Sequence, residues 1–194
     1  METKKLLITG FEPFGGQDIN PSWEAVALLP ERIGPWRLAK LRIPVEYGNA
    51  ARLVLEKARE LGPEVIISVG QAGGRSAVTP EVIGIDLREA AAPDNAGRLC
   101  RGEIIDPEGP DGLFSTLPVR EMVAAMEARG IPAKLSYSAG AYVCNDVLYT
   151  LLLRCRGTGV RVGFIHVPFI PGQGAPSMAL EDIAAALEAA VGAL

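Results

Sequence analysis

Short apolar runs alternate with amphipathic stretches along the chain. Runs typical of strands cover 5–9 (KLLIT), 36–45, 64–69 (EVIISV), 134–138 and 161–167. Helical spacing of apolar residues covers 20–29, 49–61, 117–129, about 144–154 and 178–194. The run at 64–69 does not alternate with polar residues, as expected for a strand covered on both faces. The pattern predicts an α/β fold: one domain over residues 1–194, built as a three-layer α/β/α sandwich with a largely parallel, mixed central sheet.

Local signals set the ends of several predicted helices. Asn20 is expected to cap a helix that has Pro21 at its first position. Gly62 and Pro63 predict the end of the helix over 49–61, and Ser177 is a candidate cap for the last helix.

One long segment does not fit the alternation of strands and helices. Residues 89–116 are rich in proline and glycine and have little periodicity. Because long irregular stretches inside a compact domain are usually functional or mobile, we expect one of these roles here. A short hairpin near 99–105 is also predicted.

Composition narrows the possible functions. The chain has 194 residues, of which 48% are hydrophobic and 22% charged, with a net charge of −4. These values exclude disorder and argue against binding to nucleic acid or to a membrane surface. No apolar run reaches membrane-spanning length, and the run near the N-terminus is too short for a signal peptide. Three irregularly spaced cysteines are not a disulfide framework, so we expect a reducing, cytoplasmic location.

Cys144 is the thiol with the most reactive predicted setting. It begins a helix after the small residues 139–141, and amide groups at a helix N-terminus stabilise a thiolate and lower its pKa. The same amides could hold an oxyanion. The alternative is that Cys144 is a small buried apolar residue. Cys100 and Cys155 are expected to have no role in chemistry.

His166 is the single histidine of the chain and lies at the end of the apolar strand GFIH. A lone histidine on a strand is more often a hydrogen-bonded core or surface residue than a functional one. Ligand sites in α/β sheets gather at the carboxyl ends of strands, and this position shifts the balance toward a functional role only modestly. A zinc site is not supported, because one histidine and three cysteines lie at wide, irregular spacing.

Two further segments follow predicted strands. Glu81 comes after the glycine-rich segment 70–75, which lacks the spacing of phosphate-binding loops. Phe11 and Phe14 lie on a loop after the first strand, where they could form a small apolar pocket or pack into the core. From these residues alone, a Cys–His hydrolase and a non-catalytic small-molecule-binding domain both remain open.

Seven blocks of sequence, in order along nearly the whole chain, resemble one known family. They are TGFEPFGG (9–16), NPSWEA (20–25), VGQAGGR (69–75), TPE (79–81), PDNAG (93–97), SAGAYVCN (138–145) and FIHVPFIPGQ (164–173). Together they resemble the type I pyroglutamyl peptidases, also called pyrrolidone-carboxylate peptidases, of peptidase family C15.

The resemblance implies a cysteine exopeptidase that removes N-terminal pyroglutamate (5-oxoproline) from peptides through a thioacyl-enzyme. It implies Cys144 as nucleophile, His166 as base and Glu81 as third member of a triad. It also implies that no cofactor or metal is used and that the protein forms a homodimer or homotetramer. Five residues match positions that line or adjoin the family's substrate pocket: Phe11, Phe14, Gln71, Tyr142 and, with a helix cap as its alternative, Asn20.

Three positions depart from the family's pattern. Ala91 stands where an arginine is typical, and Arg88 or Arg98 could substitute for it. Asp146 and Ala141 also differ from the residues common at their positions. Two alternatives follow: a pseudoenzyme that binds pyroglutamyl termini without cleaving them, and a phosphorylase-like transferase suggested by fold analogy.

Overall fold

The computed structural model describes residues 4–194, so the first three residues of the expected domain lie outside the described part. The helices are α1 (Pro21–Leu28), α2 (Asn49–Leu61), α3 (Val119–Glu127), α4 (Val143–Arg154) and α5 (Leu180–Gly192). The longer strands are β1 (Lys4–Phe11), β3 (Trp36–Ile43), β4 (Val65–Gln71) and β10 (Arg161–Val167). The short strands are β2 (Arg32–Ile33), β5 (Thr79–Pro80), β6 (Ile83–Ile85), β7 (Arg88–Glu89), β8 (Arg101–Glu103) and β9 (Gly112–Phe114).

Six strands form a mixed sheet in the order β2-β3-β1-β4-β10-β5. The four central strands run parallel, and the short edge strands β2 and β5 run antiparallel to their neighbours. Two small two-stranded sheets, β6-β9 and β7-β8, lie outside it. This confirms the predicted α/β class with a largely parallel, mixed sheet.

Alternate residues of the central strands enter two separate cores. Leu6 and Ile8 of β1 pack with α1, α3 and α5, whereas Leu7 packs on the opposite face with α2 and α4. In β4, Ile67 packs in the same core as Leu6 and Ile8, and Ile66 packs in the same core as Leu7. Both faces of the sheet are therefore covered, which explains the absence of alternation at 64–69 and confirms the three layers.

The capping predictions have different outcomes. Asn20 Oδ1 accepts the Ser22 amide at 3.1 Å, so Asn20 does cap α1. Gly62 ends α2 in the left-handed conformation at φ 61°, where glycine carries no steric cost. Ser177 does not cap the last helix: α5 begins at Leu180 after Ala179, with no side-chain cap.

The predicted strand over 134–138 and the predicted hairpin near 99–105 do not form. Residues 134–138 run beside 78–82 through isolated bridges, such as Glu81 with Ser136, instead of a continuous ladder. Pro80 in the neighbouring segment has no N–H to donate, which interrupts regular pairing. The hairpin near 99–105 is not local either, since β8 pairs with the upstream strand β7. No helix within 4–194 combines the length and apolarity needed to cross a bilayer.

Candidate active site

The predicted site residues meet at the carboxyl edge of the sheet. Phe11 and Gln71 are the last residues of β1 and β4, and His166 is the penultimate residue of β10. Cys144 is the second residue of α4, which packs across the same edge. The parallel strands therefore collect side chains that are far apart in sequence.

His166 and Glu81 form a buried hydrogen-bonded pair. The imidazole Nδ1 lies 2.7 Å from Glu81 Oε1, and Glu81 is fully buried while His166 is 3% exposed. The edge strand places the carboxylate, because β5 pairs with β10 directly before Glu81 and the Glu81 amide donates to the Phe164 carbonyl. A carboxylate on Nδ1 fixes the orientation of the ring, so Nε2 is the nitrogen left to exchange a proton.

Cys144 lies next to this pair. A Cβ placed on Gly70 would come within 2.9 Å of Cys144 Sγ, and Gly70 is the register partner of His166 in the adjacent strand. The thiol thus lies over the strand that borders the imidazole. The first amides of α4 have no partner within the helix, and the Cys144 amide hydrogen-bonds to its own thiol.

The surroundings of Cys144 shift its pKa in the direction opposite to that predicted from its helix position. Burial, reinforced by the nearby Glu81 carboxylate, raises the pKa of Cys144 to about 12, against the lowering effects of Arg75 and of the thiol's own amide. Burial also lowers the pKa of His166, although Glu81 opposes this. Both shifts favour the neutral forms of the thiol and the imidazole, and a neutral imidazole can accept a proton.

A small pocket opens beside the thiol. It is lined by Phe11, Phe14, Asn20, Val45, Gln71, Tyr142 and Cys144. The Phe14 and Tyr142 rings are 6.3 Å apart, and the Tyr142 hydroxyl donates to the Pro93 carbonyl. Gln71 Oε1 is buried without a hydrogen-bond partner. An unpartnered acceptor of this kind suits a ligand that brings an N–H donor into an otherwise apolar pocket.

Comparisons with known proteins agree with this geometry. The sequence model of the pyroglutamyl peptidase family, C15, matches residues 4–194. The chain belongs to the pyroglutamyl peptidase family.

Relatives of known name match along nearly their whole length. The chain is 46% identical to a pyrrolidone-carboxylate peptidase of Enterobacter sp. strain 638, with 97% of this chain and 91% of the relative covered. Among solved structures, pyroglutamyl peptidase I of Bacillus amyloliquefaciens superposes with a TM-score of 0.94 at 41% identity, covering 97% and 95% of the two chains. The pyrrolidone carboxyl peptidase of Thermococcus litoralis gives a TM-score of 0.93 at 36% identity, covering 98% and 92%.

In this member of the family, Asn20 is both part of the pocket wall and a helix cap. Its Oδ1 accepts from the amide and the hydroxyl of Ser22, and its Nδ2 donates to the Glu12 carbonyl at 2.9 Å. Because these bonds occupy its polar atoms, its clearest contribution is to fix the loop that carries Phe11 and Phe14.

The residues after Cys144 hold the segment that follows Glu81. Asn145 exchanges hydrogen bonds with the backbone of Ile85 and also donates to the Leu87 carbonyl. Asp146 Oδ1 accepts from Arg88 at 2.6 Å, within a pair that is almost fully buried. Asp146 therefore fixes β7 to the first turn of α4.

Neither arginine considered as a replacement at Ala91 forms a contact with the triad candidates. Arg88 binds Asp146, and Arg98 binds Glu103 at 2.6 Å. Ala91 itself lines a shallow groove that shares Phe14 and Tyr142 with the pocket. The arginine that does reach the site is Arg75, whose Nη1 lies 2.7 Å from Glu81 Oε1. Sequence reasoning missed its role, and its position in the glycine-rich segment 70–75 was the only signal.

Of the other two cysteines, Cys100 is buried and Cys155 lies near the end of α4, outside the pocket lining. Burial is the leading cause that raises the pKa of both thiols. Both positions agree with the expectation that they take no part in chemistry.

Proposed function

We propose that this protein is a cysteine exopeptidase that hydrolyses the bond after an N-terminal pyroglutamyl residue. The observation that supports it best is the His166–Glu81 pair beside the Cys144 thiol, at the mouth of a pocket with an unpartnered Gln71 oxygen. Cys144 acts as nucleophile, His166 as general base and acid, and Glu81 as the group that orients the imidazole.

The pocket accounts for recognition of the pyroglutamyl ring. The flat five-membered ring packs against Phe11, Phe14 and Tyr142, which are the large apolar surfaces of the lining. The lactam N–H donates to Gln71 Oε1, a buried oxygen that has no hydrogen-bond partner among the described residues. The substrate therefore satisfies a buried acceptor that would otherwise cost free energy.

Acylation begins from the neutral thiol and imidazole. His166 Nε2 takes the thiol proton as Cys144 Sγ bonds to the carbonyl carbon of the pyroglutamyl residue. The negative oxygen of the tetrahedral intermediate is held by the free amides at the start of α4. When the C–N bond breaks, the imidazolium returns the proton to the departing amine, which leaves a thioester on Cys144. The Glu81 carboxylate stabilises the imidazolium between these two steps.

Deacylation uses the same groups in reverse order. His166 removes a proton from a water molecule that attacks the thioester carbonyl, and the imidazolium then protonates the leaving Cys144 sulfur. The products are free pyroglutamate, the shortened peptide and the regenerated thiol. Because only residues of the chain move protons in this scheme, we propose that neither a metal nor a cofactor takes part.

The test is turnover of an L-pyroglutamyl coumarylamide by the purified protein in the presence of reductant. Cys144→Ala and His166→Ala should each lose nearly all activity with folding retained, and Cys100→Ser and Cys155→Ser serve as matched thiol controls. When the wild-type protein is quenched with acid during turnover, mass spectrometry should reveal one pyroglutamyl group on Cys144. Full activity in Cys144→Ala would refute the mechanism. An inactive wild type that binds pyroglutamate would instead identify a pseudoenzyme.

The cellular setting is also proposed. Cys144, Cys100 and Cys155 all carry free thiols. A reducing cytoplasm keeps such a nucleophile active. We also expect the protein to form a homodimer or homotetramer, and light scattering of the purified protein checks this expectation.

A further inference from the structure

Arg75 makes a set of contacts that the proposed mechanism has not used. Its Nη1 donates to Glu81 Oε1 at 2.7 Å and to Thr79 Oγ1 at 2.5 Å, and its Nη2 donates to the Ser138 carbonyl at 3.1 Å. The side chain is 25% exposed, whereas Glu81 is fully buried. One guanidinium therefore joins the strand β5, the carboxylate after it and the segment that leads to α4.

The same carboxylate oxygen is bound from two sides. Glu81 Oε1 accepts from Arg75 and lies 2.7 Å from His166 Nδ1, so the oxygen is fixed between the two groups. Burial of an ionised carboxylate without a partner costs free energy, so the group tends to take up a proton and lose its charge. A neutral imidazole supplies a hydrogen bond but no charge, so Arg75 is the permanent positive charge that balances Glu81 while His166 is neutral.

The backbone around Arg75 is held firmly. The Phe169 ring fills the space beside two glycines: a Cβ on Gly73 would lie 2.2 Å from the ring, and one on Gly174 would lie 2.8 Å from it. The Ala72 amide also donates to the Val167 carbonyl at the end of β10. The loop that carries Arg75 is thus packed against the strand that carries His166, which limits how far the guanidinium can move relative to the imidazole.

We infer that Arg75 is a positioning residue of the active site, which holds Glu81 ionised and in place so that Glu81 can orient His166. Arg75 acts through the carboxylate and does not line the ring pocket. This inference rests on the proposed roles of Cys144, His166 and Glu81. The arginine that supports the active site therefore lies on the glycine-rich loop after β4 and not at position 91.

Four groups face Glu81 and bear on its pH dependence: His166 on β10, Arg75 on the loop, Cys144 on α4 and the Ser136 hydroxyl. Burial by itself raises the pKa of Glu81, but hydrogen bonds from His166, Ser136 and Arg75 bring it below its ordinary value, and the charge that His166 carries when protonated adds to the lowering. The Arg75 charge also lowers the pKa of His166. Removal of Arg75 therefore moves both pKa values upward.

The experiment compares Arg75→Met with Arg75→Lys, with Arg52→Met as control, since Arg52 forms an exposed pair with Glu56 on α2. Arg75→Met should lower kcat for the pyroglutamyl coumarylamide about tenfold or more and change KM less than about threefold. The acid limb of kcat/KM should move to higher pH. Arg75→Lys should recover part of both effects, since it keeps the charge, and Arg52→Met should behave as wild type.

A double-mutant cycle with Glu81→Gln separates positioning from general structural support. If Arg75 acts through the carboxylate, Arg75→Met added to Glu81→Gln should lower kcat less than about twofold further. Equal losses in both backgrounds, or a kcat within twofold of wild type for Arg75→Met, would overturn the inference. Arg75→Gln replaces the methionine variant if thermal melts show that the latter is unfolded.

The outcomes for Cys144 keep the two proposals distinct. If Cys144→Ala is inactive while Arg75→Met behaves as wild type, only the role of Arg75 fails. If Cys144→Ala remains active, the proposed function itself fails.

Discussion

Substitution of Gly70 by alanine is a direct test of how closely the active site is packed. The added methyl group would lie 2.7 Å from the Phe164 ring and 2.9 Å from Cys144 Sγ. Non-bonded carbon atoms prefer about 3.5–4.0 Å, so each neighbour must move by roughly 1 Å. The φ angle of Gly70 is not positive, so alanine meets no backbone strain, and the effect isolates these two contacts.

The neighbours have little room to move. The Phe164 ring lies 4.8 Å from the His166 ring and 6.2 Å from the Phe11 ring, so its displacement disturbs the imidazole or the pocket wall. Overpacking of this kind costs about 1–3 kcal/mol of stability. In a domain of this size each kcal/mol lowers Tm by about 2–4 °C. A nucleophile misplaced by about 1 Å loses on the order of 10²-fold in rate.

The assay measures Tm by circular dichroism, kcat with a pyroglutamyl coumarylamide and the alkylation rate of Cys144 by iodoacetamide. We expect Gly70→Ala to fold with a lower Tm and to lose about 10²-fold in kcat. Gly192→Ala is the matched control, because a Cβ there meets nothing within 4 Å and φ is not positive. Wild-type kcat together with an unchanged alkylation rate in Gly70→Ala would show that the thiol does not rest on Gly70.

The remaining predictions concern pH, the buried ion pair and specificity. Because burial lowers the pKa of His166, the acid limb of kcat/KM should lie below the ordinary histidine value of about 6.5, and a limb above it would contradict the burial argument. The free energy of unfolding should likewise fall as pH drops below 6.5, where the unfolded state binds more protons. Asp146→Ala should lower the free energy of unfolding by about 3 kcal/mol, because it leaves Arg88 unpaired. Arg154→Met breaks an exposed pair and should lower it by under about 1 kcal/mol. Equal losses in the two variants would contradict this prediction. L-prolyl amides lack the lactam carbonyl and carry a charged amine, so they should be cleaved roughly 10⁴-fold less efficiently than L-pyroglutamyl amides. A ratio under tenfold would refute recognition of the lactam by this pocket.

Local chemistry was sufficient to predict most of the layers. The apolar run at 64–69 predicted a strand buried on both faces because its β-branched residues do not alternate with polar ones. Asn20 caps a helix through its own side chain, and Gly62 ends a helix because it has no side chain. Neither effect requires a partner that is distant in sequence. Cys144 and His166 became candidates in the same way, since each stands at the end of a regular element, whereas their proposed roles came from the resemblance to the family.

Tertiary structure decided everything that depends on two distant segments. Residues 134–138 have the composition of a strand, but the segment beside them contains Pro80 and gives only isolated bridges. Position in a helix predicts a lowered pKa for Cys144, yet burial and the Glu81 carboxylate raise it. Neither the burial of a thiol nor the distance to a carboxylate is encoded in a local pattern.

Which arginine contacts the active site was also decided by tertiary structure. Arg75, Arg88 and Arg98 have equal charge and similar reach, and the sequence offers no physical reason to choose Arg75 among them. The register of β10 against β4 and β5 brings Glu81 beside His166, and the loop packed on Phe169 brings Arg75 to that carboxylate. The sequence by itself determined the main helices and the longer strands, and it indicated which side chains can do chemistry. Sheet register and loop packing determined which of these side chains meet, because a contact at 2.7 Å requires both segments that carry the side chains to be in place.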